Sequence, residues 1–279
     1  MLALIGAVFA YPVVTLVKYS LENVSTSPYV PTTYAGLSNF RYIFSDSLFR
    51  TALGNNLKLF LCVPILAVLA VLVSAILFDR PHGWRAYRTV LFVPYILSIP
   101  VVGVVFSTLF QLNGTTNTIL RHAGLGALAQ DWLGSTTWAL PTIMFVIVWK
   151  ELGFGIILCL ARLASVDEQL YEAAKVDGAG WWRLLRHVTF PQLLPALAFY
   201  VVVELITMLS WVFAYVYVMT LGGPQNSTVV SEYYIYQAFF QNSVAGVGAA
   251  AGVTLLGVVG LLILLRVWMG RRAALVAYD

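Results

Sequence analysis

The sequence has 279 residues, of which 60% are hydrophobic and 10% charged, with a mean hydropathy of +0.85. Soluble domains carry roughly 25% charged residues, so an ordinary soluble globule is excluded. The net charge of +4 and the isoelectric point near 9.1 come from Lys and Arg scattered among loops. They form no basic, aromatic-interleaved surface of the kind that reads nucleic acid.

Apolar runs able to cross a hydrocarbon core of ~30 Å predict six spans, at about 2–18, 57–78, 90–111, 138–160, 193–220 and 246–268. The expectation is an all-α membrane protein with a single domain over 1–279 and both termini on one side. No Lys or Arg precedes the first span, which is short and reads as a shortened start at Met1; a cleaved signal peptide would carry a basic leader. Polar stretches such as Thr26-Ser27-Pro28 and Leu221-Gly222-Gly223-Pro224 mark loops. Prolines at 64, 94, 100 and 141 fall inside spans, where each removes a helical hydrogen bond and favours a kink. Cys62 and Cys159 lie in apolar runs and read as inert core or lipid-depth residues, with no metal-ligand spacing.

Three charged residues fall within spans: Lys150 and Glu151 near the middle of the fourth, and Glu204 in the inner half of the fifth. A charge at mid-bilayer costs roughly 2.5–3.5 kcal/mol, so such side chains face protein or a watery cavity. Lys150 and Glu151 are neighbours pointing about 100° apart and need not pair with each other; Glu204 is placed to pair with an Arg. Tyr215, Tyr217, Tyr233, Tyr234 and Tyr236 gather near the outer end of the fifth span and fit an interfacial aromatic belt.

The connection from Arg162 to Gln192 reads as two short helices. Ser165-Val166-Asp167-Glu168 has capping-box spacing, with Ser165 as the cap. A helix from about Val166 would turn Leu170, Ala173, Ala174 and Val176 toward protein and Glu168, Glu172 and Asp177 toward water, ending at Gly178 and Gly180. Trp181 to His187 forms a second amphipathic turn suited to a membrane interface, and Pro191 and Pro195 restart the chain as span five. Lys and Arg count ten on this side (Arg80, Arg85, Arg88, Arg162, Lys175, Arg183, Arg186, Arg266, Arg271, Arg272) against five on the other (Lys18, Arg41, Arg50, Lys58, Arg121). The positive-inside rule therefore puts the loop and both termini in the cytoplasm.

Glu172-Ala173-Ala174, then Gly178, then nine residues, then Val188-Thr189-Phe190-Pro191 resembles the shared loop of permeases of binding-protein-dependent ATP-binding-cassette (ABC) importers, E-A-A, three residues, G, nine residues, I-x-L-P. Val188 and Phe190 depart from the pattern but stay apolar. Gly36 to Phe40, Pro94, Gly114 with Asn117, Trp149-Lys150 before Gly153-Phe154, Tyr171, and Thr220-x-Gly222-Gly223-Pro224 extend the resemblance over nearly the whole chain. They point to the carbohydrate-uptake branch, like the larger maltose permease or the glycerol-phosphate type. Ala214 stands where relatives often have Asp.

The resemblance implies a six-helix type I ABC importer transmembrane domain in a bacterial cytoplasmic (inner) membrane, with 165–191 as its cytoplasmic coupling loop. It carries an ATPase-coupling role onto Glu172, Ala173, Ala174, Asp177, Gly178 and Pro191. The implied partners are a second homologous permease in a heterodimer, two ABC ATPase subunits, an extracytoplasmic solute-binding protein and membrane lipid, with no nucleic acid. No G-x4-G-K-[ST] loop occurs and His82, His122 and His187 are dispersed, so the chain reads as a transport subunit rather than an enzyme. It carries no cofactor, and ATP and Mg are expected on the partner. The expected cargo is an oligosaccharide, polyol or glycerol-phosphate derivative, with Trp149, Lys150, Glu151 and Glu204 as substrate-path candidates. In that reading Trp149 stacks on a sugar face and Lys150 binds hydroxyls or phosphate; a structural ion pair is the other reading. An ATP-independent helical channel or scaffold is the alternative function.

Overall fold

The computed structural model describes residues 2–24 and 31–276, with backbone alone at 2–5, 7, 9 and 265–276. Met1, the Thr26-Ser27-Pro28 loop and the side chains of Arg266, Arg271 and Arg272 lie outside the described residues.

Helix α1 (Leu2–Ser20) covers the first expected span and leads into a two-residue antiparallel ladder, β1 (Glu22–Asn23) with β2 (Thr33–Tyr34). Then follow α2 (Ser38–Ser45), α3 (Ser47–Leu59), α4 (Cys62–Phe78), α5 (Trp84–Ile96), α6 (Ile99–Leu109) and α7 (Thr115–His122). The second half holds α8 (Ala139–Leu163), α9 (Glu168–Val176), α10 (Trp181–Leu184), α11 (Phe190–Ser210), α12 (Phe213–Met219), α13 (Ser231–Tyr236) and α14 (Ala245–Val276). Among the described residues four helical stretches are long and apolar enough to cross a membrane: Ser47–Phe78, Ala139–Leu163, Trp181–Ser210 and Ala245–Leu264.

The proline reading succeeds at two sites. Pro64 has no N–H to offer the Phe60 carbonyl four residues back, and α3 and α4 are separated there, at Phe60-Leu61. Pro100 cannot donate to Ile96, and the expected span 90–111 is corrected to two helices, α5 and α6, bent by 99° at Leu97-Ser98. Pro141 lies in the first turn of α8, where its missing donor costs nothing. The expected restart of span five at Pro191 is also corrected. A π-turn over Leu185–Thr189, in which the Phe190 N–H donates to the Leu185 carbonyl, absorbs the bond that Pro191 lacks. The helical path therefore runs unbroken from Trp181 to Ser210, and span five breaks instead at Trp211-Val212.

The core is built where α8 meets α4, α5 and α11. Leu66 and Ala70 of α4, Ile143, Val146 and Ile147 of α8, and Leu193, Tyr200 and Met208 of α11 are buried together. Cys62 and Cys159 are both free and both in this core. At Gly153 a side-chain carbon would fall 2.6 Å from the Leu91 carbonyl oxygen, so glycine is what lets α5 lie directly on α8.

Candidate functional site

The loop after α8 begins with a correction to the cap. Asp167, with extended backbone at ψ 125°, accepts the Gln169 N–H at 3.0 Å and starts α9 at Glu168. Ser165 instead donates to the Arg162 carbonyl at 2.7 Å and accepts from the Arg162 guanidinium at 3.0 Å. The cap thus lies at Asp167, two residues beyond Ser165. Arg162 also donates to the Gln192 carbonyl at 2.9 Å and to its side chain at 3.2 Å, tying the end of α8 to the start of α11.

The end of α9 follows the expectation. Gly178 sits at φ +74°, its N–H donates to the Lys175 carbonyl at 3.0 Å, and the Ala179 N–H donates to the Ala174 carbonyl at 3.0 Å. That pair of bonds is a Schellman cap, which requires a left-handed residue at its centre.

The apolar face of α9 departs from the expectation. Leu170, Ala173 and Val176 are exposed, Val176 to 88%, while only Tyr171 is buried. Its ring lies 5.3 Å from Phe78 and its hydroxyl donates to Thr189 Oγ1 at 3.3 Å; burial raises the phenol above its ordinary range. Tyr171 is thus the point at which α9 is seated on the bundle, between the end of α4 and the π-turn. Glu172, Asp177 and Pro191 are exposed, Ala174 is half-buried, and Trp181 donates to Asp79 at 3.2 Å.

Three of the four path candidates, Lys150, Glu151 and Glu204, lie close together. Lys150 and Glu151 are buried and do pair, Nζ to Oε1, at 3.3 Å, because the long lysine stem bends round to its neighbour. The same Nζ donates to the Tyr95 carbonyl at 3.3 Å, and Tyr215 donates its hydroxyl to Glu151 Oε1 at 3.2 Å. Glu204 is 1% exposed; its Oε2 has no hydrogen-bond partner, which corrects the expected pairing with an Arg. Trp149 points away from this cluster, is about one-third exposed, and meets Phe106 edge to face at 5.0 Å. The aromatic belt divides likewise. Phe213, Tyr217, Tyr233 and Tyr236 pack ring against ring, whereas Tyr215 is buried on Glu151 and Tyr234 donates to Asp46 at 2.7 Å.

Asn55, Asn56 and Glu232 form a centre that the sequence reading missed. Asn55 Nδ2 donates to the Ser227 and Val229 carbonyls at 2.8 and 2.9 Å. Asn56 Nδ2 donates to the Met208 carbonyl at 3.1 Å, and its Oδ1 accepts from the Ser231 N–H and hydroxyl at 2.9 and 2.8 Å. The Glu232 carboxylate accepts from Asn56 Nδ2 at 3.5 Å through Oε2, while its buried Oε1 has no hydrogen-bond partner; burial pushes its pKa up to about 7. Two adjacent buried amides thereby staple the loop after α12 to the break. The available signal was an Asn-Asn pair at the mouth of an apolar run, where an unpaired amide is expensive.

Residues 35–274 match the family described as binding-protein-dependent transport system inner membrane component. The lactose transport system permease protein of Rhizobium radiobacter is 31% identical over 86% of this chain and 80% of its own length. The sulfoquinovosyl glycerol transport system permease protein of Agrobacterium fabrum is 31% identical over 90% of this chain and 82% of its own. A crystal structure of a bacterial alginate ABC transporter, in complex with an alginate pentasaccharide-bound periplasmic protein, superimposes with a TM-score of 0.82 at 26% identity. The match covers 97% of this chain and 91% of that one.

Proposed function

The chain belongs to the family of binding-protein-dependent transport system inner membrane components, the permease subunits of ATP-driven importers, and from that premise we propose that it carries a sugar or sugar-like solute into the cytoplasm by alternating access. The cargo is an oligosaccharide, a polyol or a glycerol-phosphate derivative. It is a transport component and not an enzyme, so ATP and Mg belong to two partner ATPase subunits. A second, homologous permease completes the passage, and an extracytoplasmic binding protein delivers the solute. Both termini and the 165–191 loop face the cytoplasm.

The observation that carries this reading is α9: a rigidly capped helix seated by one buried residue, Tyr171, with Leu170, Ala173 and Val176 left bare beside Glu172. An apolar face kept exposed on a capped helix is a docking surface, and Ala173 and Ala174 permit close approach. When the ATPase dimer closes, α9 moves with it as a lever. Arg162–Gln192 and Tyr171–Thr189 pass that motion to α8 and α11. Gly178 sets the lever's end.

Of the four expected path residues, Trp149 keeps an open aromatic face, on which a sugar ring would stack. Lys150 and Glu151 support the path from behind, holding α8 against α5 and α12, and Glu204 lies buried on α11. The test is copurification and uptake. An ATPase subunit should copurify with the chain, and ATP-driven solute uptake into proteoliposomes should be lost in Glu172→Lys. Uptake that persists without any ATPase would establish the channel reading instead.

A further inference from the structure

We infer that the cavity between the first turns of α5 and the inner half of α8 binds the phosphate headgroup of an anionic phospholipid. The cavity measures about 410 Å³ and is lined by Trp84, Arg85, Arg88, Thr89, Phe92 and Ile157. Arg85 and Arg88 are three residues apart, so both guanidinium groups leave the same face of α5. Among the described residues neither is paired with a carboxylate. The nearest acid in sequence, Asp79, is occupied by the Trp181 indole. Arg85 is steadied over the Trp84 ring, its guanidinium 5.7 Å from the ring centroid. Two uncompensated guanidinium groups at the positive end of a thirteen-residue helix make a site for an anion, and their planar forks match the oxygens of a phosphate.

The rest of the lining selects a lipid over a soluble anion. From Arg85 to Phe92 the helix climbs about 10 Å, and over that distance the lining changes from guanidinium to aromatic and aliphatic, ending on Phe92 and Ile157. That order, charge at the mouth and apolar carbon beneath, is the order of a headgroup and the start of its acyl chain. The floor exists because Gly153 brings α5 onto α8 one turn above Ile157. Basic pockets between spans on the cytoplasmic side are the usual seats of anionic headgroups. The leaflet rests on the orientation proposed above; the chemistry of the cavity does not.

The experiment titrates the delipidated, detergent-solubilised importer with phosphatidylglycerol, phosphatidylcholine or inorganic phosphate, reading lipid retention by native mass spectrometry and the thermal midpoint in parallel. Phosphatidylglycerol should be retained and should raise the midpoint, and phosphatidylcholine and phosphate should do neither. Each arginine is worth about five-fold, so Arg85→Gln with Arg88→Gln should weaken phosphatidylglycerol about 25-fold. Arg85→Lys with Arg88→Lys, which keeps charge and fold but loses the fork, should fall between. Arg183→Gln with Arg186→Gln, removing equal charge from the same side, should match the wild type. Equal retention of phosphatidylcholine, an unchanged double Gln variant, or reproduction of the shift by phosphate alone would overturn the lipid site. So would crosslinking of Arg88→Cys to another subunit, since a protein would then fill the cavity. If no ATPase copurifies, the same titration on the full chain alone reads the site, so its failure is separable from that of the importer reading.

Discussion

Replacing Gly178 isolates the contribution of backbone geometry to the coupling loop. The residue sits at φ +74°, and an added side-chain carbon would meet nothing within 4 Å, so Gly178→Ala costs conformational strain and no steric clash. Left-handed backbone costs an L-residue about 1–2 kcal/mol. Local opening of the cap should therefore rise roughly 5- to 30-fold, since 1.4 kcal/mol is about tenfold. The Gly178 and Ala179 amides, which donate to Lys175 and Ala174, report that opening directly by hydrogen exchange. Asn tolerates this conformation and Val does not. The ordering Gly178→Asn, Gly178→Ala, Gly178→Val should hold both for exchange rate and for loss of ATP-driven uptake per ATP hydrolysed. Equal effects from all three, or uptake lost with exchange unchanged, would refute the claim that the turn acts through its backbone.

Lys150→Met leaves Glu151 buried and unpaired beside Glu204, and should destabilise the chain by about 3–5 kcal/mol in thermal unfolding. Lys150→Met with Glu151→Gln should recover part of that loss, and solute affinity should stay unchanged in the double variant; a large affinity loss would return Lys150 to the path. Asn56→Ala strands the Ser231 N–H and hydroxyl and the Met208 carbonyl, and should cost about 2–3 kcal/mol, read as a lowered thermal midpoint. Glu232 binds its proton more tightly folded than unfolded. Its contribution to stability is full below pH 4.5 and is lost as pH rises through about 7, by up to about 3 kcal/mol. Glu232→Gln should flatten the dependence of the midpoint between pH 5 and pH 8.

The loop was legible in the sequence where one residue type answers one backbone demand. Gly178 after a helix predicts a left-handed cap, and a left-handed cap is what forms. Its start lies two residues later than expected because Ser165 and Asp167 are both competent caps, and α9 is seated by Tyr171 on Phe78, a contact across about ninety residues of sequence. The exposed face of α9 was misread for a related reason: periodicity reports which residues share a face but not whether that face has a partner within the same chain. Pro64 and Pro100 gave the breaks in the second and third spans, yet the 99° bend at Leu97-Ser98 depends on how the two halves pack and is not encoded locally. The Lys150–Glu151 pair escaped the helical-wheel argument, which places Cβ atoms, whereas the lysine ammonium lies several rotatable bonds beyond. Asn55, Asn56 and Glu232 join segments about 175 residues apart, so no local pattern could have linked them.

The docking role of α9 is tested most directly by cysteine crosslinking. Single cysteines at Leu170, Ala173 and Val176 should each crosslink to a copurified ATPase subunit, and at Val176 the yield should change when nucleotide is bound. Cysteines at exposed residues assigned to the opposite side of the membrane, Tyr42 and Arg50, should not crosslink to it. Equal crosslinking from both sets, or none from α9 while the ATPase remains bound, would contradict the account.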